Sequence, residues 1–312
     1  MPIAKLLEIY LPLIGWTGLG WVIGPRLPAT VPVYMGKFLF WFGVPLGIVA
    51  FLRHAEVSWA LWIAPVTAWC AILGGIGLAR LYLIYQNRQW SRRTQTSFTL
   101  TSMVGNTGYI GFPVALVLVG PQHFAWAVFY DMVGSTLGAY GLGVALAAQA
   151  QAADYDPESC PTANRQSLIG TMAINPVFWS FGLGLLGRDL PLPPWLETSL
   201  RAIAWGVIAL ALVLIGIRLS QITSFKNVRP ATISLTIKMV VVPLLVGMAL
   251  RSLGITGDVH RVLLLQMAMP PAFATLVISE AYALDQEMAV TAIAIGSVLL
   301  LITLPVWLWL FP

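Results

Sequence analysis

Charge is what this sequence has least of. Of 312 residues, 17 are Lys or Arg and 12 are Asp or Glu, together 9%, whereas 58% are hydrophobic. A soluble domain carries about 25% charged residues, so a soluble globule is excluded. The formal charge of +5 would point a soluble protein toward nucleic acid. Here the basic residues are few and lie between apolar runs, where they set membrane topology instead. Cysteine is nearly absent: Cys70 lies inside an apolar run and Cys160 in a polar loop, which leaves no basis for a disulfide. Histidine is equally scarce. His54, His123 and His260 are expected at the outer membrane interface, apart from carboxylates and cysteines, so neither a metal nor a cofactor is expected. No HExxH is present and no serine is placed with a His and an acid in a recognisable motif, which speaks against a membrane-embedded hydrolase.

What the sequence has in abundance is long apolar runs, and mean hydropathy is +0.83. A bilayer core of ~30 Å asks for about 20 apolar residues per helix. Ten such spans are expected, at 4–24, 32–52, 58–86, 97–119, 122–149, 167–186, 198–218, 231–251, 260–283 and 288–311. The first contains a lysine, Glu8 and no A-x-A-like site, and reads as a membrane helix instead of a cleaved signal. One longer polar connection, 150–166, divides the chain into a first repeat at 1–149 and a second at 167–312. Five helices per repeat is an odd number, so the second repeat enters the membrane inverted. The Lys- and Arg-rich loops around Arg88, Arg92, Arg93 and around Arg218, Lys226, Arg229 fall on one face, which puts both termini outside.

Two of the spans are interrupted. GNTGYIGFP (Gly105 to Pro113) is written across the fourth and QMAMPP (Gln266 to Pro271) across the ninth. Such breakers are tolerated at membrane depth only where the backbone is buried in protein or lines a cavity. Matched interruptions in two halves are a pointer to a transporter's binding site. The second half-helices are expected to begin after Pro113 and after Pro271, each presenting unpaired N–H groups and partial positive charge to an anion. Gly105, Gly108 and Gly111 are expected to supply unusual dihedrals and close approach, with Pro270 and Pro271 as their counterparts. Asn106 adds an amide beside the break. The bland alternative is a pair of proline-kinked helices that bind nothing.

Charges inside spans are few. Asp131 falls about nine residues into the fifth span, near mid-depth at ~1.5 Å per residue. It can carry a coupling proton, bind a cation, or pair with Lys238 of the eighth span. Lys238 itself reads more readily as a side chain snorkelling to the cytoplasmic face. GSTLGAYGLG (Gly134 to Gly143) reads as close helix packing.

The segments FWFGVPLGIVAFL (40–52), SFTLTSMVGNTGYIGFP (97–113), VFYDMV (128–133) and the stretch from Gln266 to Pro305 resemble the auxin efflux carrier family, the bacterial relatives of plant PIN-type carriers. That resemblance implies an all-α membrane protein of ten helices in two inverted five-helix repeats, with broken helices 4 and 9 crossing beside the substrate. It also implies a homodimer, a scaffold of helices 1, 2, 6 and 7, and elevator-like movement of the remainder. Carried onto this chain, the substrate contact of the crossover falls on Asn106. Other lining positions fall on Val44 and Ile48 around Pro45, on Tyr109, and on Asp131 and Thr136. Where the plant carriers have a glutamine in helix five this chain has Asp131, and the acid–base pair of the plant helix three has no counterpart in SWALWIAPVTAWC. Bacterial relatives are associated with small carboxylates such as malate or malonate. The expected function is a multi-pass secondary carrier of the cell membrane for a small organic anion, with the lipid bilayer and a second copy as its partners. A membrane-embedded sensor that keeps the carrier fold is the alternative.

Overall fold

The computed structural model describes residues 3–28, 30–53, 55, 58–86, 90–152, 176–188, 190–220 and 227–311. The connection expected at 150–166 and the first residues of the span expected at 167–186 fall largely outside them. The chain is almost entirely helical, with no strand among the described residues. In chain order, α1 (Ile3–Ile23) precedes α2 (Thr30–Phe38) and α3 (Val44–Leu52), which are joined through a π-helical turn at Leu39–Gly43. Then come α4 (Ile63–Tyr85), α5 (Arg92–Met103), and a π-helical turn at Thr107–Gly111 that runs into α6 (Phe112–Leu118). α7 (Phe124–Phe129) continues through π-helical stretches at Tyr130–Thr136 and Gly138–Gly143 into α8 (Val144–Ala152). The second half holds α9 (Pro176–Leu186), α10 (Pro194–Ser220), and α11 (Val228–Leu235) joined to α12 (Val242–Ser252) by a π-helical stretch at Thr236–Val241. It closes with α13 (Gly257–Met267), α14 (Phe273–Ala281) and α15 (Gln286–Leu310). Among the described residues, five continuous helices are long and apolar enough to cross a membrane: Thr30–Leu52, Trp59–Tyr85, Pro194–Ser220, Val228–Ser252 and Gln286–Leu310.

The chain forms two compact units. The first takes residues 1–57, 108–128 and 174–223. Within it α1 lies on α10, and the approach is backbone to backbone. A Cβ at Gly20 would stand 2.0 Å from the Val213 carbonyl oxygen, and one at Gly216 only 1.9 Å from that of Thr17. Small residues are what permit such contact between membrane helices. α3 packs against both α9 and α10.

The second unit takes residues 58–107, 129–173 and 224–312. Here α4 packs against α5 and against the π-helical stretch at Tyr130–Thr136. Trp69 Nε1 donates to the Val133 carbonyl at 3.0 Å, and a Cβ at Gly134 would meet Ala68 Cβ at 2.1 Å. GSTLGAYGLG therefore begins as a packing surface. Asp285 is a local organiser: it caps α15 by accepting from Met288 N at 3.0 Å. The same carboxylate accepts from Thr94 Oγ1 at 2.7 Å and Asn227 Nδ2 at 2.8 Å. One acidic cap thus ties the first turn of α15 to α5 and to the start of α11. His260, expected at an interface, is buried, with Nε2 2.9 Å from the Gly247 carbonyl oxygen.

Candidate functional site

In the second unit the two interruptions meet. α5 stops at Met103 because Val104 turns extended (φ −113°, ψ 126°), and α13 stops before Pro270 and Pro271. Proline has no N–H and disfavours helix for the residue before it. The two extended stretches then complete one another. Asn106 N donates to the Pro270 carbonyl at 2.7 Å, and Ala272 N donates to the Val104 carbonyl at 3.0 Å. Gly105 and Pro271 form an antiparallel bridge between them. Backbone groups removed from their helices are in this way satisfied by the other break, as the interior of a membrane protein requires.

The break in the first arm is shorter than the motif suggests. Helical backbone resumes at Thr107, so Gly108, Gly111 and Pro113 lie in helix, and the resumed helix does not wait for Pro113. Pro113 falls in the first turn of α6, directly after the π-helical turn, the kind of local adjustment that re-satisfies backbone groups freed by a proline. Among Gly105, Gly108 and Gly111 none has a positive φ. The expected need for unusual dihedrals is thereby corrected. At Gly105 the requirement is room, since a Cβ there would lie 3.1 Å from Lys238 Nζ and 3.2 Å from the Met269 carbonyl oxygen. In the second arm α14 starts at Phe273, with Ala272 as the one residue between it and the prolines.

Among the described residues of the second unit, two buried charges address these breaks, and each is carried on a π-helical stretch. Such departures from α geometry recur at functional sites. Asp131 is buried and accepts from the Thr107 hydroxyl, the first residue of the resumed helix. Thr136 provides a second hydroxyl neighbour to the same carboxylate. Lys238 is 2% exposed, and its Nζ donates to the Met267 carbonyl at 2.6 Å. The expected snorkelling is therefore overturned: a buried helix end supplies an acceptor closer than the membrane surface. Asp131 and Lys238 form no ion pair with each other among the described residues. Asn106 is 3% exposed, with its backbone N–H engaged by Pro270.

Two residues escaped the sequence reading. In the sequence Thr107 is one more residue of an interrupted span, but its hydroxyl holds Asp131. Gln266 is fully buried, and neither amide atom finds a partner among the described residues. A glutamine four residues before a double proline in an otherwise apolar run is the available signal.

The first unit contains a separate feature. Val44, Ile48, Gly108, Tyr109 and Pro113 line one hollow, together with Phe51, Phe112, Phe124 and aliphatic residues of α10. Apart from the tyrosine hydroxyl its side chains are apolar, the composition of a pocket that accepts a hydrocarbon surface. Gly111 is not among its lining residues. Three of the expected lining positions, Val44, Ile48 and Tyr109, thus share one cavity wall in this unit. Asn106, Asp131 and Thr136 belong to the other unit.

A helical membrane protein whose interrupted helices satisfy one another through backbone bonds, with buried charges turned on the breaks, has the features of a transporter. The profile of the membrane transport protein family matches residues 11–308, and the chain belongs to this auxin efflux carrier-like family. It is a multi-pass membrane protein. An uncharacterized transporter of Methanocaldococcus jannaschii is 28% identical over 220 residues, covering 68% of this chain and 67% of the relative. An uncharacterized transporter of Methanothermobacter thermautotrophicus is 24% identical over 266 residues, covering 85% of this chain and 84% of the relative.

Proposed function

We propose that this protein is a secondary carrier for a small organic anion, a carboxylate, working by elevator-like alternating access around the breaks at 104–106 and 268–272. In this reading the ten expected spans form two inverted repeats, the broken helices cross, and the carrier works as a homodimer in the cell membrane. The observation that carries it is the reciprocal pairing of the breaks, Asn106 to Pro270 and Ala272 to Val104. Pairing leaves the helices at Thr107 and Phe273 starting at the same locus, where partial positive charge favours a carboxylate. The apolar hollow supports a role for Val44, Ile48 and Tyr109 toward the non-polar part of the substrate. Support for an elevator comes from the grouping of α1, α2, α3, α9 and α10 in one compact unit, which also takes in α6 and most of α7, while Asp131 and the breaks belong to the other.

Thermal-shift measurements on the purified protein with malate, malonate, indole-3-acetate and amino acids test the substrate class, because a ligand of the native state raises Tm. Uptake of the stabilising compound into proteoliposomes tests transport. A shift with carboxylates and none with their amides or with neutral amino acids is expected; a protein stabilised only by neutral solutes refutes the anion.

A further inference from the structure

The carboxyl end of a helix leaves its last four carbonyls without intrahelical partners and carries partial negative charge. At α13 that end is sealed from solvent, with Gln266, Met267, Ala268 and Met269 all 0% exposed. Backbone donors reach only part of it: Ala268 N bonds the Leu264 carbonyl at 2.9 Å and Met269 N reaches that of Gln266 at a long 3.4 Å. The next two residues are Pro270 and Pro271, which have no N–H to give. The Met267 carbonyl is therefore left to a donor from elsewhere in the fold, and it receives the Lys238 ammonium at 2.6 Å.

A buried lysine is costly unless its charge is balanced. Here no carboxylate balances it, since Asp131 forms no ion pair with it. What balances it is the negative end of α13. Gly105 of the opposite break leaves the space, because a Cβ there would crowd both Cε and Nζ at 3.1 Å. The π-helical stretch at Thr236–Val241 carries the side chain to that spot. In transporters built on discontinuous helices, half-helix carboxyl ends and unwound carbonyls are where coupling cations are held. An ammonium is a compact point charge of the same sign.

We propose that the carboxyl end of α13 is a monovalent-cation site which this chain fills with its own Lys238 ammonium, so that the paired breaks hold together without sodium. The inference concerns the breaks alone and is tested without substrate, so its failure leaves the carrier assignment standing.

The test is the Tm of the full-length purified protein in detergent at constant ionic strength, with sodium chloride exchanged for choline chloride or ethylammonium chloride. The wild type is expected to melt at the same temperature in all three, within about 1 °C. K238A is expected to melt lower in choline and to recover in a saturable manner with sodium or ethylammonium, by at least about 2 °C. K238R, which keeps the charge, is expected to lose less than K238M, which keeps the length. A saturable sodium effect on the wild type overturns the proposal. So does a K238A protein as stable in choline as the wild type, or one whose loss no small cation relieves. If K238A does not accumulate, the wild-type sodium arm and the K238R and K238M pair decide.

Discussion

The Thr107 hydroxyl donates to the Asp131 carboxylate, so the residue that restarts the helix after the first break is fastened to the buried acid of the neighbouring π-helical stretch. Neither group has water to turn to: Thr107 is 1% and Asp131 8% exposed. Thr107→Val keeps the volume and removes the donor, which should cost about 1–3 kcal/mol by leaving the acid under-satisfied. Asp131→Asn made in the same background should restore part of that loss. A double-mutant cycle on thermal denaturation in detergent reads the coupling, expected at about 0.5–3 kcal/mol; strict additivity removes the bond from the stability of the site.

Asp131 is a carboxylate buried in a membrane protein, the kind of group that relays protons or binds ions. Its hydroxyl neighbours Thr107 and Thr136 can accept from the protonated acid as well as donate to the ionised one, so both forms can be accommodated. Asp131→Asn fixes the neutral form. It should flatten the pH dependence of substrate uptake into proteoliposomes, because the variant has no carboxyl left to change charge. An unchanged profile assigns proton coupling elsewhere.

Breakers in GNTGYIGFP and QMAMPP made the interruptions legible from residue types alone, but not the point at which each helix stops. Five residues between Gly105 and Pro113 are Gly, Asn or Pro, and local propensity treats them much alike. The choice is made by the partner. Pro270 and Pro271 can accept but not donate, which fixes the register at Asn106 N to Pro270 O and Ala272 N to Val104 O, and Gly108 through Pro113 then return to helix. The fate of Lys238 was hidden for a similar reason, since its acceptor exists only because α13 ends at Met267. Asn106 and Asp131 stood out as polar groups inside apolar spans. Val44, Ile48 and Tyr109 carry no such mark and were reached through family resemblance. The contact of α1 with α10 depends on Gly20 and Gly216, but a glycine in an apolar run does not name the helix it faces.

That contact gives a stability test within the first unit. Gly216→Ala places a methyl group 1.9 Å from the Thr17 carbonyl oxygen, a backbone atom that cannot swing aside, so α1 and α10 must separate. Overpacking of this kind costs about 1–3 kcal/mol. Gly18→Ala on α1 has nothing within 4 Å of its new Cβ and should be neutral, or gain up to about 1 kcal/mol from helix propensity. Comparison of the two variants by thermal denaturation separates packing from propensity; equal effects would mean that α1 and α10 are not in backbone contact.

Asn106→Ala separates a substrate contact from a structural one. The bond that locks this residue into the paired breaks is made by its backbone N–H to Pro270, and alanine keeps that donor. Truncation should leave a folded protein whose Tm without ligand stays close to that of the wild type. What it removes is a buried amide that can donate to a carboxylate. Loss of one hydrogen bond to a charged group is worth about 1.5–3 kcal/mol, so affinity for the carboxylate that stabilises the wild type should fall at least ~10-fold. A ligand-induced shift and an uptake rate both equal to wild type would remove Asn106 from the substrate site while leaving the backbone pairing intact.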